Sequence, residues 1–259
     1  QMSLLQMLLL RGLIAKFWKQ PYKHKLVKWG SQLHDKFLLP HYVQQDIQEV
    51  VNDLNDAGYG FQMSWFDAYF EFRFPHYGTT RIQGIEMELR MGIEPWHVLG
   101  EEMSTTGTAR YVDSSLEKIQ VKLRNFNNDC YVLLCNGNRV PLKESNIKTE
   151  YVCGIRYRAW QPPSALHPTI GTDVPLVFDI VDTWNSRSIG GCTYHVSHPG
   201  GRSYDTFPVN ANEAESRRIS RYWDYGHTQD TIQYTPVSSS PDQHFIVENN
   251  GEYLVDVPE

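Results

Sequence analysis

Residues Tyr69 to His97 read Y-F-E-F-R-F-P-H-Y-G-T-T-R-I-Q-G-I-E-M-E-L-R-M-G-I-E-P-W-H, and the reading of this stretch decides the fold. In Tyr69 to Phe74 the rings of Phe70, Phe72 and Phe74 alternate with Glu71 and Arg73. That period of two predicts a strand with rings on one face and charges on the other. Ile85, Met87 and Leu89 alternate in the same way with Glu86, Glu88 and Arg90, and His76, Tyr77 and Gly78 between the two runs are competent to turn the chain. The phase changes between Ile82 and Ile85 across Gly84, which reads as a β-bulge. The hairpin predicted in this way has one core face and one face of carboxylates and guanidinium groups.

The rest of the chain supplies the frame. With 259 residues, 41% of them apolar, there is enough material for a sizeable core. A net charge of −6 argues against a general nucleic-acid binder. The exception is the basic run Arg11, Lys16, Lys19, Lys23, Lys25 and Lys28, which reads first as a solvated helix face. Leu4, Leu5, Leu8, Leu9 and Leu13 form a helical stripe rather than a signal peptide, since Arg11 interrupts it and no small-residue cleavage site follows. No membrane segment is expected. A second helix is predicted from Pro40 to Gly58 through Val43, Ile47, Val50, Val51 and Leu54.

From Gly60 onward the signal is strand, with runs at Thr108 to Val112, Lys118 to Leu123, Cys130 to Cys135, Tyr151 to Trp160, Leu176 to Val181 and Ser188 to Val196. One late helix is expected from Ala211 to Trp223, with Asn210 as N-cap and Glu213 in the capping-box position. The fold class is α+β: a helical segment over residues 1–58 packed on a large, mainly antiparallel β-rich domain over 59–230, then a loose tail over 231–259. Cys130, Cys135, Cys153 and Cys192 have no Cys-x-x-Cys spacing and are expected as free thiols in the cytoplasm.

Three groupings could carry chemistry. Carboxylates on a rigid sheet can hold Mg²⁺, and arginines beside them can grip a phosphoryl group; the alternative is a solvated face of cross-strand ion pairs. Glu94 and His97 stand on the turn leaving the second strand, and Arg156 and Arg158 share one side of theirs. Cys192, His195, His198 and Asp205 invite a thiol triad, but residues three apart on a strand face opposite sides, so Cys192 and His195 cannot meet. No G-x-x-x-x-G-K-[ST] phosphate loop is present.

Five blocks carry a resemblance: W-G-S-Q-L-H-D-K-F-L-L-P-H-Y-V (Trp29 to Val43), F-E-F-R-F-P (Phe70 to Pro75), I-E-P-W-H-V-L-G-E-E (Ile93 to Glu102), Y-R-A-W-Q-P-P-S-A-L-H-P-T (Tyr157 to Thr169) and G-G-C-T-Y-H-V-S-H-P-G-G-R-S-Y-D-T-F-P-V-N-A (Gly190 to Ala211). From about Gln6 to His227 the chain resembles the C-terminal portion of the domain described as a putative amidoligase in large bacterial transglutaminase-like proteins. The resemblance implies a glutamine-synthetase-like fold and an ATP- and Mg²⁺-dependent carboxylate–amine ligase that works through an acyl phosphate on a peptide or amino-acid substrate, beside an upstream transglutaminase-like region. Residue by residue it points to Glu71, Arg73, Glu86, Glu88 and Arg90; on this reading Glu71, Glu86 and Glu88 are expected as Mg²⁺ ligands and Arg73 and Arg90 as phosphoryl clamps, while the residue pattern itself adds Arg156 and Arg158 as further clamps and Glu94 with His97 as candidates to position or deprotonate the amine. The alternative is a non-catalytic β-rich module that binds a peptide or partner domain.

Overall fold

A computed structural model describes residues 2–23, 25–26, 28–160, 166, 169, 171–172, 175–196, 206–226 and 252–254. The chain divides into two compact units, Gln1–Pro75 and His76–Glu259.

The first unit is helical. Its elements are α1 (Met2–Lys19), a π-helical turn (Leu33–Phe37), α2 (Pro40–Asp56), a 3-10 turn (Met63–Phe66) and α3 (Asp67–Arg73). Pro40 sits in the first turn of α2, where its missing N–H costs nothing. Val51 and Leu54 of α2 pack with Phe61 and Phe66, and Leu5, Leu9 and Leu13 of α1 join that cluster. The Asn55 side chain fixes the chain beyond α2: its amide donates to the Phe61 carbonyl at 2.8 Å and its oxygen accepts from the Phe61 N–H at 2.6 Å.

The opening stretch divides here. Tyr69 to Arg73 is helix, not strand, so Glu71 and Arg73 do not pair with the strand carrying Glu86, Glu88 and Arg90. Phenylalanines at 70, 72 and 74 fit a period of two, but 70 and 74 are also one helical turn apart, and their rings stack at 6.3 Å while Phe72 is 72% exposed. Asp67 in the first turn and Arg73 in the last complement the helix dipole, and Pro75 follows the end.

The second unit contains β1 (His76–Ile82), β2 (Ile85–Met91), β3 (His97–Ser104), β4 (Gly107–Asp113), β5 (Leu116–Arg124), β6 (Tyr131–Cys135), β7 (Asn138–Arg139), β8 (Lys143–Glu144), β9 (Tyr151–Arg158), β10 (Leu176–Asp182), β11 (Arg187–Tyr194), α4 (Ala211–Ile219), β12 (Tyr222–Trp223) and β13 (Glu252–Leu254). One sheet runs β1-β2-β5-β9-β13, with β8 also on β9; a second runs β12-β11-β10-β6-β7; β3 and β4 form a separate ribbon. Among the described residues only β13 pairs in parallel, so the α+β class with mainly antiparallel sheets holds.

β1 and β2 are joined by Gln83 and Gly84, both at positive φ (49° and 85°). A two-residue connection with left-handed backbone matches the twist of a hairpin. Gly84 is therefore the turn rather than a bulge, and the bulge lies instead between His76 and Gly78. Met87 and Leu89 of β2, Val121 of β5 and Ile155 of β9 meet Leu133 of β6, Phe178 of β10 and Cys192 of β11 in one buried cluster. The two large sheets thus share a core, and the outer face of the first is left for charge. α4 starts as its sequence predicts, with the Asn210 side chain accepting from the Glu213 N–H at 2.9 Å, but it ends at Ile219. Tyr222 and Trp223 pair with β11 instead of extending the helix. Of the tail over 231–259 only β13 is described, paired with β9. No helix of the described residues is long and apolar enough to cross a membrane.

Candidate functional site

Strand alternation builds the charged face. On β2, Ile85, Met87 and Leu89 are buried while Glu86, Glu88 and Arg90 point the other way. The neighbouring β5 repeats the pattern, with Lys118, Gln120, Lys122 and Arg124 alternating with Ile119, Val121 and Leu123. Register places Glu86 opposite Arg124, Glu88 opposite Lys122, and Lys118 opposite Arg156 of β9. Arg81 of β1 faces Glu86 from the other side.

Three groups of ion pairs result. Arg81 Nε donates to Glu86 at 3.0 Å, and Arg124 donates to the other oxygen of Glu86. Arg124 also reaches Glu150 at 3.4 Å, and Lys122 Nζ lies 3.1 Å from the same carboxylate. Arg90 Nε donates to Glu88 at 3.0 Å. Glu94, carried by the chain leaving β2, stands between Arg156 Nε at 2.7 Å and Lys118 Nζ at 3.1 Å. The side chains of Lys118 and Glu94 are 0% and 2% exposed. Burial of that order is sustained only when opposite charges are held together.

Hydrogen bonds from Arg124 and then Arg81 hold the Glu86 carboxyl below its ordinary range. A carboxylate whose folded value is depressed contributes stability above its unfolded value and loses it as pH falls through the folded one. Arg124→Gln should therefore move the Glu86 titration, followed by the side-chain carboxyl resonance in NMR, upward towards the ordinary carboxylate range and shrink the acid-side fall in stability.

Of the residues expected from sequence, Glu86, Glu88, Arg90, Glu94 and Arg156 come together on this face. Glu71 and Arg73 belong to α3 in the helical unit. His97 is exposed at the start of β3, opposite Asp113. Arg158 is buried, its Nε donating to the Trp160 carbonyl at 3.4 Å. Burial alone would raise the Asp113 carboxyl, but hydrogen bonds from Ser115 and from the Leu166 N–H, together with the charge of Arg158, bring it below its usual range. Sequence reading missed Lys118, Lys122, Arg124 and Glu150. The signal for the first three was present in K-I-Q-V-K-L-R (Lys118 to Arg124), the same two-residue alternation as β2.

Among the described residues nothing places a base beside the Cys192 thiol. The four cysteines are free, and Cys192 is fully buried in the shared core, where burial pushes its thiol well up. His195 instead packs against Trp223 at 4.1 Å. His198 and Asp205 lie outside the described residues.

Among the described residues no group of three or more His, Cys, Asp or Glu side chains is placed to hold a metal by itself. Mg²⁺ does not require one, since it is commonly held by one or two carboxylates plus water and substrate phosphate. Glu86 and Glu88, two apart on one strand face, are the carboxylates of β2 that could hold such an ion. The face also carries Arg81, Arg90, Lys118, Lys122, Arg124 and Arg156 against Glu86, Glu88, Glu94 and Glu150 among the described residues. The surplus is positive on a chain whose total is −6, which suits an anionic ligand. No curated protein and no solved structure matches the chain. A family model matches residues 1–248, and the chain therefore belongs to the family described as "Putative amidoligase enzyme (DUF2126)".

Proposed function

We propose that the charged face is the nucleotide end of an ATP- and Mg²⁺-dependent carboxylate–amine ligase. The observation that carries this reading is a cation-rich sheet face with two neighbouring carboxylates, in a member of an amidoligase family. In the proposed reaction a substrate carboxylate oxygen attacks the γ-phosphorus of ATP, the bond to the bridging oxygen breaks, and ADP leaves. The amine nitrogen then forms its bond to the acyl carbon as the bond to phosphate breaks, and the amine gives up a proton. Bound Mg²⁺ would neutralise charge on the nucleotide phosphates.

The protein's part is positioning and electrostatics. Glu86 and Glu88 would hold the ion, with Arg90 and Arg156 as phosphoryl clamps and the buried Arg158 in support. Glu94 would fix Lys118 and Arg156 rather than act on substrate, because its side chain is almost fully buried between these two cations. His97 is assigned the amine proton. Releasing Arg81 from Glu86 should be inexpensive, since Arg81 is 79% exposed and exposed pairs contribute only about 0–1 kcal/mol. Four free thiols suit a reducing compartment, so we place the enzyme in the cytoplasm, acting with an upstream transglutaminase-like region on a peptide or amino-acid substrate.

Two substitutions test the site. Glu88→Gln keeps size and removes the charge an ion requires, so Mg²⁺ affinity by calorimetry should fall about tenfold or more, the scale of one charge-assisted contact. Arg90→Lys keeps charge and loses the planar fork, so it should spare Mg²⁺ and weaken a non-hydrolysable ATP analogue. Unchanged affinities in both folded variants would reject the ligase site and favour the peptide- or partner-binding module.

A further inference from the structure

β1 is the outer strand of its sheet, and a cleft of about 520 Å³ runs along that edge. Thr79 to Ile82 form one wall, and Gly190 and Gly191 of β11 with Asp224 to Gly226 form the other. A second cavity of about 410 Å³ shares Thr79, Asp224 and Tyr225 and continues past His76 and Trp223. We propose that this cleft binds the amine substrate of the ligase, with the Asp224 carboxylate pairing with its ammonium group, and that this substrate is an amino acid or short peptide rather than ammonia. The inference rests on the ligase reading above for its meaning, but not for its geometry.

Three observations carry it. Asp224 is exposed, and no cation of the described residues pairs with its carboxylate. Its backbone is nevertheless fixed on both sides. Thr80 Oγ1 donates to the Asp224 carbonyl at 3.4 Å, and Thr193 Oγ1 donates to the next carbonyl, that of Tyr225, at 2.9 Å. A carboxylate on pinned backbone at the wall of a cleft is preorganised for an ammonium and repels a phosphate. Next, Trp223 and Tyr225 stack at 5.4 Å and are both exposed beside Asp224, a surface suited to the apolar stem of a cationic ligand. Finally, Arg81 lines the cleft and also donates to Glu86, so the cleft adjoins the face assigned to nucleotide. Two joined cavities of this size are matched to a peptide-sized ligand and not to ammonia.

Calorimetric titration of the whole chain with glycylglycine, without nucleotide, tests the assignment. Glycylglycine should bind, N-acetylglycylglycine should bind about tenfold more weakly or not at all, and Asp224→Asn should lower glycylglycine affinity by a similar factor. The same variant should keep its Mg²⁺ and ATP-analogue affinities. Equal binding of the acetylated and free dipeptides, an unaffected Asp224→Asn variant, or no binding of glycylglycine would each overturn the amine site. If the wild-type protein binds glycylglycine in the expected way but no nucleotide, the amine site stands and the ligase reading falls; the reverse result sinks the amine site alone.

Discussion

Glu94→Gln should lower the unfolding free energy by about 3–5 kcal/mol, the cost of removing one partner from a buried ionic group. Lys118 and Arg156 converge on this carboxylate, with Lys118 fully buried, and the substitution takes away the anion between two cations while leaving the volume nearly unchanged. The effect is thus electrostatic rather than a cavity effect. Urea unfolding followed by circular dichroism would measure it. Lys118→Met in the Glu94→Gln background should recover part of the loss, because an apolar side chain of similar length does not require the missing charge. A loss below about 1 kcal/mol, or no recovery in the double variant, would show that the three charges do not act as a unit.

Gly191→Ala should be at least as damaging, for a different reason. Gly191 of β11 lies opposite Asp179 of β10, and a Cβ there would stand 1.7 Å from the carbonyl oxygen of Phe178 and 2.8 Å from its carbonyl carbon. Neither atom can rotate away, so two paired strands must separate in the middle of the second sheet. Overpacking typically costs about 1–3 kcal/mol when side chains can yield; against the backbone of the paired strand we expect about 3 kcal/mol or more, or failure to fold. Gly100→Ala is the matched control. A Cβ at Gly100 meets nothing within 4 Å, so its stability change should stay within about 0.5 kcal/mol. Similar melting of the two variants would contradict the packing argument.

The contrast between β2 and α3 shows what was legible in the sequence. Seven residues of β2 with branched or long apolar groups at every second place admit one period, and the strand formed with the expected faces. The phenylalanine run from Phe70 to Phe74 admits two periods over five residues, and the helix prevailed because Asp67, Arg73 and Pro75 frame it. Gly84 was ambiguous for a related reason: the turn uses Gln83 at positive φ, an uncommon residue there, while His76-Tyr77-Gly78 looked like the better turn and became the bulge. Residue types on the site were readable, but their partners were not. That Glu94 meets Lys118 and Arg156, 24 and 62 positions away, follows from the register of β5 on β9, which no local pattern encodes. Asp224 was missed because the two-residue strand just before it, Tyr222–Trp223, was absorbed into the expected helix from Ala211 to Trp223.

The two-faced character of β2 also bears on how this gene can vary. A single-residue insertion or deletion within Ile85 to Met91 would turn every following side chain over, carrying Glu86, Glu88 or Arg90 towards Leu133 and Phe178 and presenting Met87 or Leu89 to solvent. Length changes there are confined to pairs, and even a pair would exchange Arg124 for another partner of Glu86. The ribbon of β3 and β4, exposed at every position from Gly107 to Val112, carries no such constraint and is where additions to the chain should accumulate.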